Sequence, residues 1–319
     1  MWERDRHGPV PFLERTEAMY DILIIGAGPA GLTAALYAAR AGKSVAIYEQ
    51  LTPGGQIINS PDVANHPGFV SISGAELTMN MVEAATAAGA ELHYNKVTGA
   101  DLQGDVKTLT LDSGETVQGR AVILANGVTR RTLDVPGETE FVGRGVSYCA
   151  TCDGGFYKGR SVAVVGGGNT ALDDALYLCS ICESVTLIHR REGFRGSETT
   201  LKKLRQRENL HLMLNYVPTA ITGADKVEAL ELKSVTTGET KQIAVDGVFI
   251  AIGSVPDNEA FSGIALKNGF IDSGESCKTA LPGVFAAGDT RHKELRQLVT
   301  AESDGAVAAT AAVQYVDSL

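Results

Sequence analysis

An α/β fold with one domain plan used twice is what the sequence predicts, on three observations. Residues 20–50 and 160–190 are the same strand, glycine turn, helix and strand written twice at a constant offset of 140. Each copy is followed by the same run of short strands and a polar turn, closing on Ala125-Asn126-Gly127 in the first and Ala251-Ile252-Gly253 in the second. The tail then returns with Val284-Phe285-Ala286-Ala287-Gly288-Asp289, a strand that suits the first sheet. Together these imply two Rossmann-like dinucleotide-binding domains, the second inserted in the first.

The first copy opens with the apolar strand Tyr20 to Ile25, and Gly26, Gly28 and Gly31 punctuate the turn around Pro29 and Ala30. A helix carrying Ala35-Leu36-Tyr37 follows, then the strand Val45 to Tyr48, which leads to Glu49 and Gln50. Such a turn presents bare backbone N–H groups and the positive end of a helix dipole to a pyrophosphate. A carboxylate about 20 residues on accepts hydrogen bonds from an unmodified ribose and repels a phosphate there. Glu49 therefore suits FAD or NAD.

Beyond it come Pro53-Gly54-Gly55-Gln56 and Asn65-His66-Pro67-Gly68. The spacing predicts a helix from about Ser73 to Ala88. Strands are expected at Val106 to Leu111, Thr116 to Gln118 and Ala121 to Leu124, with a turn at Asp112-Ser113-Gly114.

In the second copy Val162 to Val165 runs into Gly166, Gly168, Asn169, Thr170 and Ala171, then Ala175-Leu176-Tyr177, then Val185 to Ile188. Where the first copy has Glu49, this one has His189, followed by Arg190 and Arg191, with Arg195 four residues further on. Guanidinium groups in that place pair with a ribose 2′-phosphate, so this copy suits NADP. Strands are expected at Val227 to Leu232, Gln242 to Val245 and Val248 to Ile250.

The domains so read are 19–132 with 255–319, and 133–254, with Pro136-Gly137 and Val255-Pro256 as the crossings and candidate hinge. Residues 1–18 are charged, contain two prolines and read as a flexible, dispensable extension ahead of Met19. Hydrophobic content of 44% and 36 glycines fit two compact, glycine-turned cores. Lys plus Arg number 28 against 38 Asp plus Glu, a formal charge of −10 that argues against a nucleic-acid or anionic-membrane surface. With no run near the roughly 20 apolar residues of a membrane span and no secretory core, the cytoplasm is the expected compartment.

Of five cysteines, Cys149 and Cys152 enclose Ala150-Thr151 and precede Asp153-Gly154-Gly155. A thiol at a helix N-terminus has a lowered pKa and a larger thiolate fraction, and in a reducing compartment such a pair points to catalysis. Asp153 is placed to move the proton that thiol–disulfide exchange gains or loses. Cys179 and Cys182 make a second CxxC, so a zinc site of four thiolates is arithmetically possible. The repeat register puts that pair near the end of the second domain's helix, where small core residues belong, so no metal is expected. Cys277 reads as a lone thiol. A nicotinamide, a flavin and a dithiol make a continuous path for an electron pair.

Over essentially residues 19–319 the chain resembles the low-molecular-weight thioredoxin reductases. The motifs are Gly-Ala-Gly-Pro-Ala-Gly (26–31), Gly-Gly-Gln (54–56), Cys-Ala-Thr-Cys-Asp-Gly (149–154), Gly-Gly-Gly-Asn-Thr-Ala (166–171), His-Arg-Arg-Glu-Gly-Phe-Arg (189–195), Val-Phe-Ala-Ala-Gly-Asp (284–289) and Arg-Gln (296–297). The resemblance implies a homodimeric enzyme moving electrons from NADPH to FAD, to its own Cys149/Cys152 disulfide, and to thioredoxin. It implies that Cys152 faces the flavin, that Cys149 attacks thioredoxin, that Asp153 is the acid, and that two domain orientations alternate. Residues implied for FAD are Gly26, Gly28, Pro29, Ala30, Gly31, Glu49, Gln50, Gly55, Gln56, Asn65, Val97, Ala125, Gly127, Gly288, Asp289, Arg296 and Gln297. For NADPH they are Gly166, Gly168, Asn169, Thr170, His189, Arg190, Arg191, Arg195, Ile252 and Gly253. Two departures stand out: Asn126 where the family reads Thr, and His66 where an aromatic is common; His66 reads as a packing residue.

Three rival readings share much of this ground. Ferredoxin-dependent relatives and dithiol oxidases lack the NADP motifs that this chain retains. A peroxidase-reductase module carries thioredoxin-like domains ahead of the shared body, and 18 residues cannot form them, although a dedicated small redoxin remains a candidate substrate. A flavin-bearing redox sensor is the non-enzyme reading.

Overall fold

The computed structural model describes residues 19–319, and the extension expected to be flexible, 1–18, lies outside the described residues. The first unit runs β1 (Tyr20–Ile25), α1 (Pro29–Arg40), β2 (Val45–Tyr48), α2 (Gly74–Ala87), β3 (Glu91–His93), β4 (Val97–Asp101), β5 (Lys107–Leu111) and β6 (Thr116–Leu124). Its strands pair in the order β3-β2-β1-β6-β5-β4, parallel up to β6 and antiparallel beyond. Ser73 starts α2 as expected, its hydroxyl accepting from Glu76 N at 3.1 Å.

Where the sequence suggested two strands at 116–118 and 121–124, β6 is continuous. Gly119, which breaks the apolar run, is no turn. A Cβ there would lie 2.7 Å from Leu23 Cγ, so the glycine admits the β1 side chain against an unbroken strand.

The second unit contains β7 (Thr129–Arg130), β8 (Val146–Ser147), α3 (Ala150–Asp153), β9 (Ser161–Val165), α4 (Asn169–Leu178), β10 (Ser184–His189), α5 (Glu198–Leu204), β11 (Leu210–Leu214), β12 (Tyr216–Thr222), β13 (Ala229–Ser234), β14 (Thr240–Ala244) and β15 (Gly247–Ile250). The parallel sheet β11-β10-β9-β15-β8 repeats the first, and β12-β13-β14 forms an antiparallel meander. Sequence reading missed several short strands, among them β3, β4, β11 and β12. β4 and β12 carry a register shift, at Val97/Gly99 and Pro218/Ala220, and glycine or proline there breaks the alternation that marks a strand. It also set the β13 and β14 strands about two residues off.

The chain returns through β16 (Ser254–Val255), β17 (Leu266–Lys267), β18 (Phe270–Ile271), β19 (Val284–Ala286) and α6 (Leu298–Asp317). β19 lies parallel to β6, Val284 opposite Val122 and Ala286 opposite Leu124. The two crossings run side by side, because β7 and β16 pair antiparallel with Arg130 opposite Ser254. Pro136-Gly137, read as a hinge, is instead fastened to β12: Ile221 N donates to Pro136 O at 2.9 Å, and a Cβ on Gly137 would meet Ile221 O at 2.0 Å.

The first core gathers Ile22, Ile24, Ala34, Ala38, Ile47 and Ile123 under α1 and α6. Small residues let those helices touch: a Cβ on Gly305 would stand 2.2 Å from Ala30 O. The second core gathers Val162, Val164, Leu172, Leu178, Val185 and Phe249. Each large apolar side chain buried this way contributes about 1.5–3 kcal/mol.

Candidate redox and dinucleotide site

The first cradle is built by close backbone approach. A Cβ on Gly26 would fall 2.4 Å from Ala125 O and one on Gly31 would fall 1.9 Å from Gly26 O, whereas nothing lies within 4 Å of that position on Gly28. The outer glycines close the turn on β6, and the middle one leaves room for a ligand against the start of α1. Pro29 stands at the first helical position, where its missing N–H costs nothing.

Glu49 follows β2 and is aimed by the backbone, Oε2 accepting from Ala27 N at 2.8 Å and Oε1 from Leu51 N at 2.9 Å. It opens into a cleft of about 410 Å³ with Gly26, Gln50, Val97 and Asn126. The same cleft takes Asn95, Lys96, Thr98, Asp257, Glu259 and Phe261, none of which carries a motif. Asn126 Nδ2 donates to Asp257 O at 2.7 Å and Asn258 Oδ1 at 3.1 Å, so the polar swap ties the turn to the returning segment.

The other residues expected at the first nucleotide bracket this turn. Gly55 follows the glycine loop, whose Gly54 N donates to Ala27 O at 2.8 Å, and Gln56 Nε2 donates to Val128 O at 3.2 Å. Ala125 and Gly127 close β6, with Gly127 at φ 65°. The Gly288-Asp289 strand end leads into a single tight turn, and the helix that follows, α6, begins at Leu298. Asp289 Oδ1 is buried without a hydrogen-bond partner, and burial raises its carboxyl pKa against the pull of Lys293, Arg296 and Arg130. Arg296 lies over the Phe270 ring at 4.0 Å and donates through Nε to Asp289 O at 3.3 Å.

The second cradle repeats the construction. A Cβ on Gly166 would reach Ala251 O at 2.3 Å, while Gly168, which caps α4, again faces open space. His189 ends β10, stacked on Phe194 with centroids 5.2 Å apart, and its ring would be 2.2 Å from a Cβ on Gly167. Burial lowers its pKa below the usual imidazole value, and the nearby Arg195, Arg190 and Arg191 push the same way. Arg190, Arg191 and Arg195 are exposed, and Arg195 N donates to Gly167 O at 2.8 Å, which brings the arginine segment to the glycine turn. Asn169 Oδ1 accepts from Ser197 N at 2.7 Å, while Thr170 is exposed beside it. Ile252 and Gly253 follow β15, Gly253 at φ 99°.

Cys149 and Cys152 form a disulfide, S–S 2.10 Å, with Cys149 capping the short α3 just after β8. Cys149 is half-buried and Cys152 exposed. Asp153 Oδ2 accepts from Ser147 Oγ at 2.6 Å. Burial raises the Asp153 pKa, and the Ser147 bond and the Arg130 charge oppose the rise. Facing the sulfurs from α6, Gln297 Nε2 is 3.6 Å from Cys149 Sγ, 3.8 Å from Cys152 Sγ and donates to Thr151 Oγ1 at 2.9 Å. Asn65 Nδ2 donates to Gln297 Oε1 at 3.1 Å. The disulfide of the second unit therefore lies against Gln297 of the first, which Asn65 of the first also holds.

Cys179 and Cys182 are buried in the second core, their thiols pushed up to about 11, and Cys277 is buried in the first. Among the described residues no group of three or more His, Cys, Asp or Glu converges as a metal site.

Two glycine cradles and a disulfide delivered to one of them define a class: proteins that pass electrons between a nucleotide cofactor and sulfur. Residues 20–305 match the pyridine nucleotide-disulphide oxidoreductase family, and the chain belongs to it. Among its relatives, thioredoxin reductase of Listeria innocua is 43% identical over 306 residues, covering 95% of this chain and 96% of that one. The solved thioredoxin reductase of Streptococcus pyogenes superposes with a TM-score of 0.90 at 40% identity, covering 95% of this chain and all of its own. That of Lactococcus lactis in its FR conformation is also 40% identical and covers 94% of this chain and 100% of its own, yet the TM-score is 0.64.

Ser147 and Arg130 were not found by sequence reading, and Thr151, though enclosed by the CxxC, was given no role. Ser147 stands two residues before Cys149 and Arg130 on the crossing strand β7, and no residue pattern marks them. His66, read as a packing residue, does lie against Phe69, with centroids 5.7 Å apart, but it also contacts Glu302.

Proposed function

We propose that the chain is an NADPH-dependent, FAD-containing thioredoxin-disulfide reductase. The observation that carries the reading is the Cys149–Cys152 disulfide of the second unit seated on the Gln297 amide of the first. FAD would fit the first cradle: Gly28 leaves the room a pyrophosphate needs, Glu49 would face a ribose, Asn126 Oδ1 is a buried acceptor without a hydrogen-bond donor, and Asp289 Oδ1 has only the Lys293 ammonium at 3.8 Å. NADPH fits the second, where three exposed arginines await a phosphate and no carboxylate stands at the end of β10. FAD, when bound, supplies a two-electron carrier between nicotinamide and disulfide.

The protein's own groups then have definite tasks. Reduction of the Cys149–Cys152 bond takes two electrons and leaves a dithiol. One thiolate attacks the thioredoxin disulfide to form a mixed disulfide, and the other displaces it, releasing reduced thioredoxin and restoring Cys149–Cys152. We assign the attack to Cys149 and the flavin-facing role to Cys152. Cys149 is the more covered sulfur in this arrangement, so its attack requires the second unit to turn about the β7/β16 ribbon. The unequal superpositions on equally similar relatives support such a turn. Asp153, kept protonated to higher pH by burial, supplies the proton that the departing thiolate takes up. A homodimer in the cytoplasm completes the reading, and among the described residues no helix is long and apolar enough to cross a membrane.

Anaerobic titration with NADPH tests this. Uptake of about four electrons per subunit, two for flavin and two for one disulfide, is expected. Uptake of two leaves the sulfurs outside the circuit. With Cys149→Ser, NADPH still bleaches the flavin while thioredoxin reduction collapses; unimpaired turnover would refute the assignment.

A further inference from the structure

Two consecutive residues fasten the 65–69 loop to the start of α6. Asn65 Nδ2 donates to Gln297 Oε1 at 3.1 Å. Beside it His66 Nε2 lies between both oxygens of Glu302, at 3.1 and 3.2 Å. The pair is largely enclosed, with 15% of the His66 side chain and 24% of the Glu302 side chain exposed. A carboxylate only accepts, so Nε2 carries the hydrogen. His66 Nδ1 is buried without a partner among the described residues, which leaves Glu302 as the ring's polar anchor. Packing on Phe69 needs only a ring; the imidazole adds a directed bond that an aromatic cannot make.

The helix so fastened presents Gln297, the residue that begins it. Gln297 N donates to Thr300 Oγ1 at 3.1 Å. With Oε1 held by Asn65 and by the Thr300 backbone N–H of the helix cap, the side-chain NH₂ is turned toward Thr151 and the two sulfurs. N–H donors beside sulfur favour the thiolate over the disulfide, because only the thiolate carries charge to stabilise. Freeing the loop loosens Asn65, and of the two donors that aim the amide only the Thr300 backbone N–H is then left.

We propose that His66 and Glu302 are a positioning pair that sets the Gln297 amide across Cys149–Cys152 and shifts that disulfide toward its reduced form. Neither residue touches sulfur; both act through Asn65 and Gln297. The inference rests on the reading of this disulfide as the redox centre.

The test is thiol–disulfide equilibrium of the purified holoenzyme in buffers of reduced and oxidised dithiothreitol, with the Cys149 and Cys152 thiols counted by alkylation and mass. Dithiothreitol gives up two electrons in closing its ring, and the Cys149–Cys152 bond takes them up. Glu302→Gln and His66→Phe, the latter keeping the ring on Phe69, are each expected to move the equilibrium constant about tenfold toward disulfide, which is about 30 mV for a two-electron couple. Gln297→Ala is expected to shift it similarly, and adding Glu302→Gln to Gln297→Ala to bring no further change. A full further shift in that double variant, or an unshifted equilibrium in His66→Phe, overturns the proposal. Flavin content and bleaching by NADPH, read on the same samples, report the underlying function separately: a protein without flavin undoes that reading, whereas a flavin-loaded protein with unshifted sulfurs undoes only the role of the pair.

Discussion

Neutralising Arg190 and Arg191 probes the second cradle with little cost to the fold. Both side chains are exposed at the end of β10, so the double change Arg190→Gln, Arg191→Gln should alter stability by no more than about 0.5 kcal/mol. A charge-assisted bond to a phosphate contributes about 1.5–3 kcal/mol, and exposure to solvent argues for the lower end. Two lost contacts then remove about 3 kcal/mol from NADPH and almost nothing from NADH, which lacks the phosphate. At about 1.4 kcal/mol per factor of ten, the preference for NADPH over NADH falls roughly a hundredfold. The assay is anaerobic flavin reduction with each nucleotide by stopped flow, comparing kcat/KM, with the melting temperature as control. Salt should shrink the wild-type preference in the same direction, because these contacts are screened. A variant that folds normally and keeps its nucleotide ratio would refute the phosphate assignment and the reasoning from the repeat that led to it.

The remaining expectations concern other links. Asp153→Asn removes the buried acid, and thioredoxin reduction should slow about a hundredfold with flavin reduction by NADPH intact, read by single turnover of each half; loss of both halves would point to misfolding instead. Asp174, on α4 beside Asp173, has its carboxyl pushed up to about 7 by burial first and by that neighbour second. A raised folded-state pKa means that the wild type loses stability as pH climbs from about 4 to 7. Asp174→Asn should therefore melt alike at pH 4 and gain about 1–2 kcal/mol above pH 7, the partial exposure tempering the gain; an equal gain at both pH values would discard this origin. Gly167→Ala puts a methyl 2.2 Å from the His189 ring, which Phe194 backs, so NADPH binding should weaken at least tenfold while flavin content stays full, checked by equilibrium titration.

What the sequence determined by itself is local. The two glycine cradles, the opposed charges at Glu49 and at Arg190-Arg191, the α2 cap at Ser73 and the CxxC before Asp153 each lie within a run of about 30 residues. Strand period, turn chemistry and helix caps leave marks at that range. β4, β12 and the divided β6 fail that test for one reason: Gly99, Pro218 and Gly119 break the alternation, and only pairing with a neighbouring strand restores the element. The tertiary structure alone decided that Thr151 and Gln297 meet the sulfurs with Asn65 holding Gln297, that Arg130 and Ser147 flank Asp153, that His66 grips Glu302, and that Pro136 is bonded to β12 while Val255 pairs with Thr129. Gln297 stands 145 residues from Cys152 along the chain and His66 stands 236 from Glu302. Contacts over such spans depend on how two sheets and α6 pack together, and the energy that selects them is spread over a whole core, so no short stretch of residues records it.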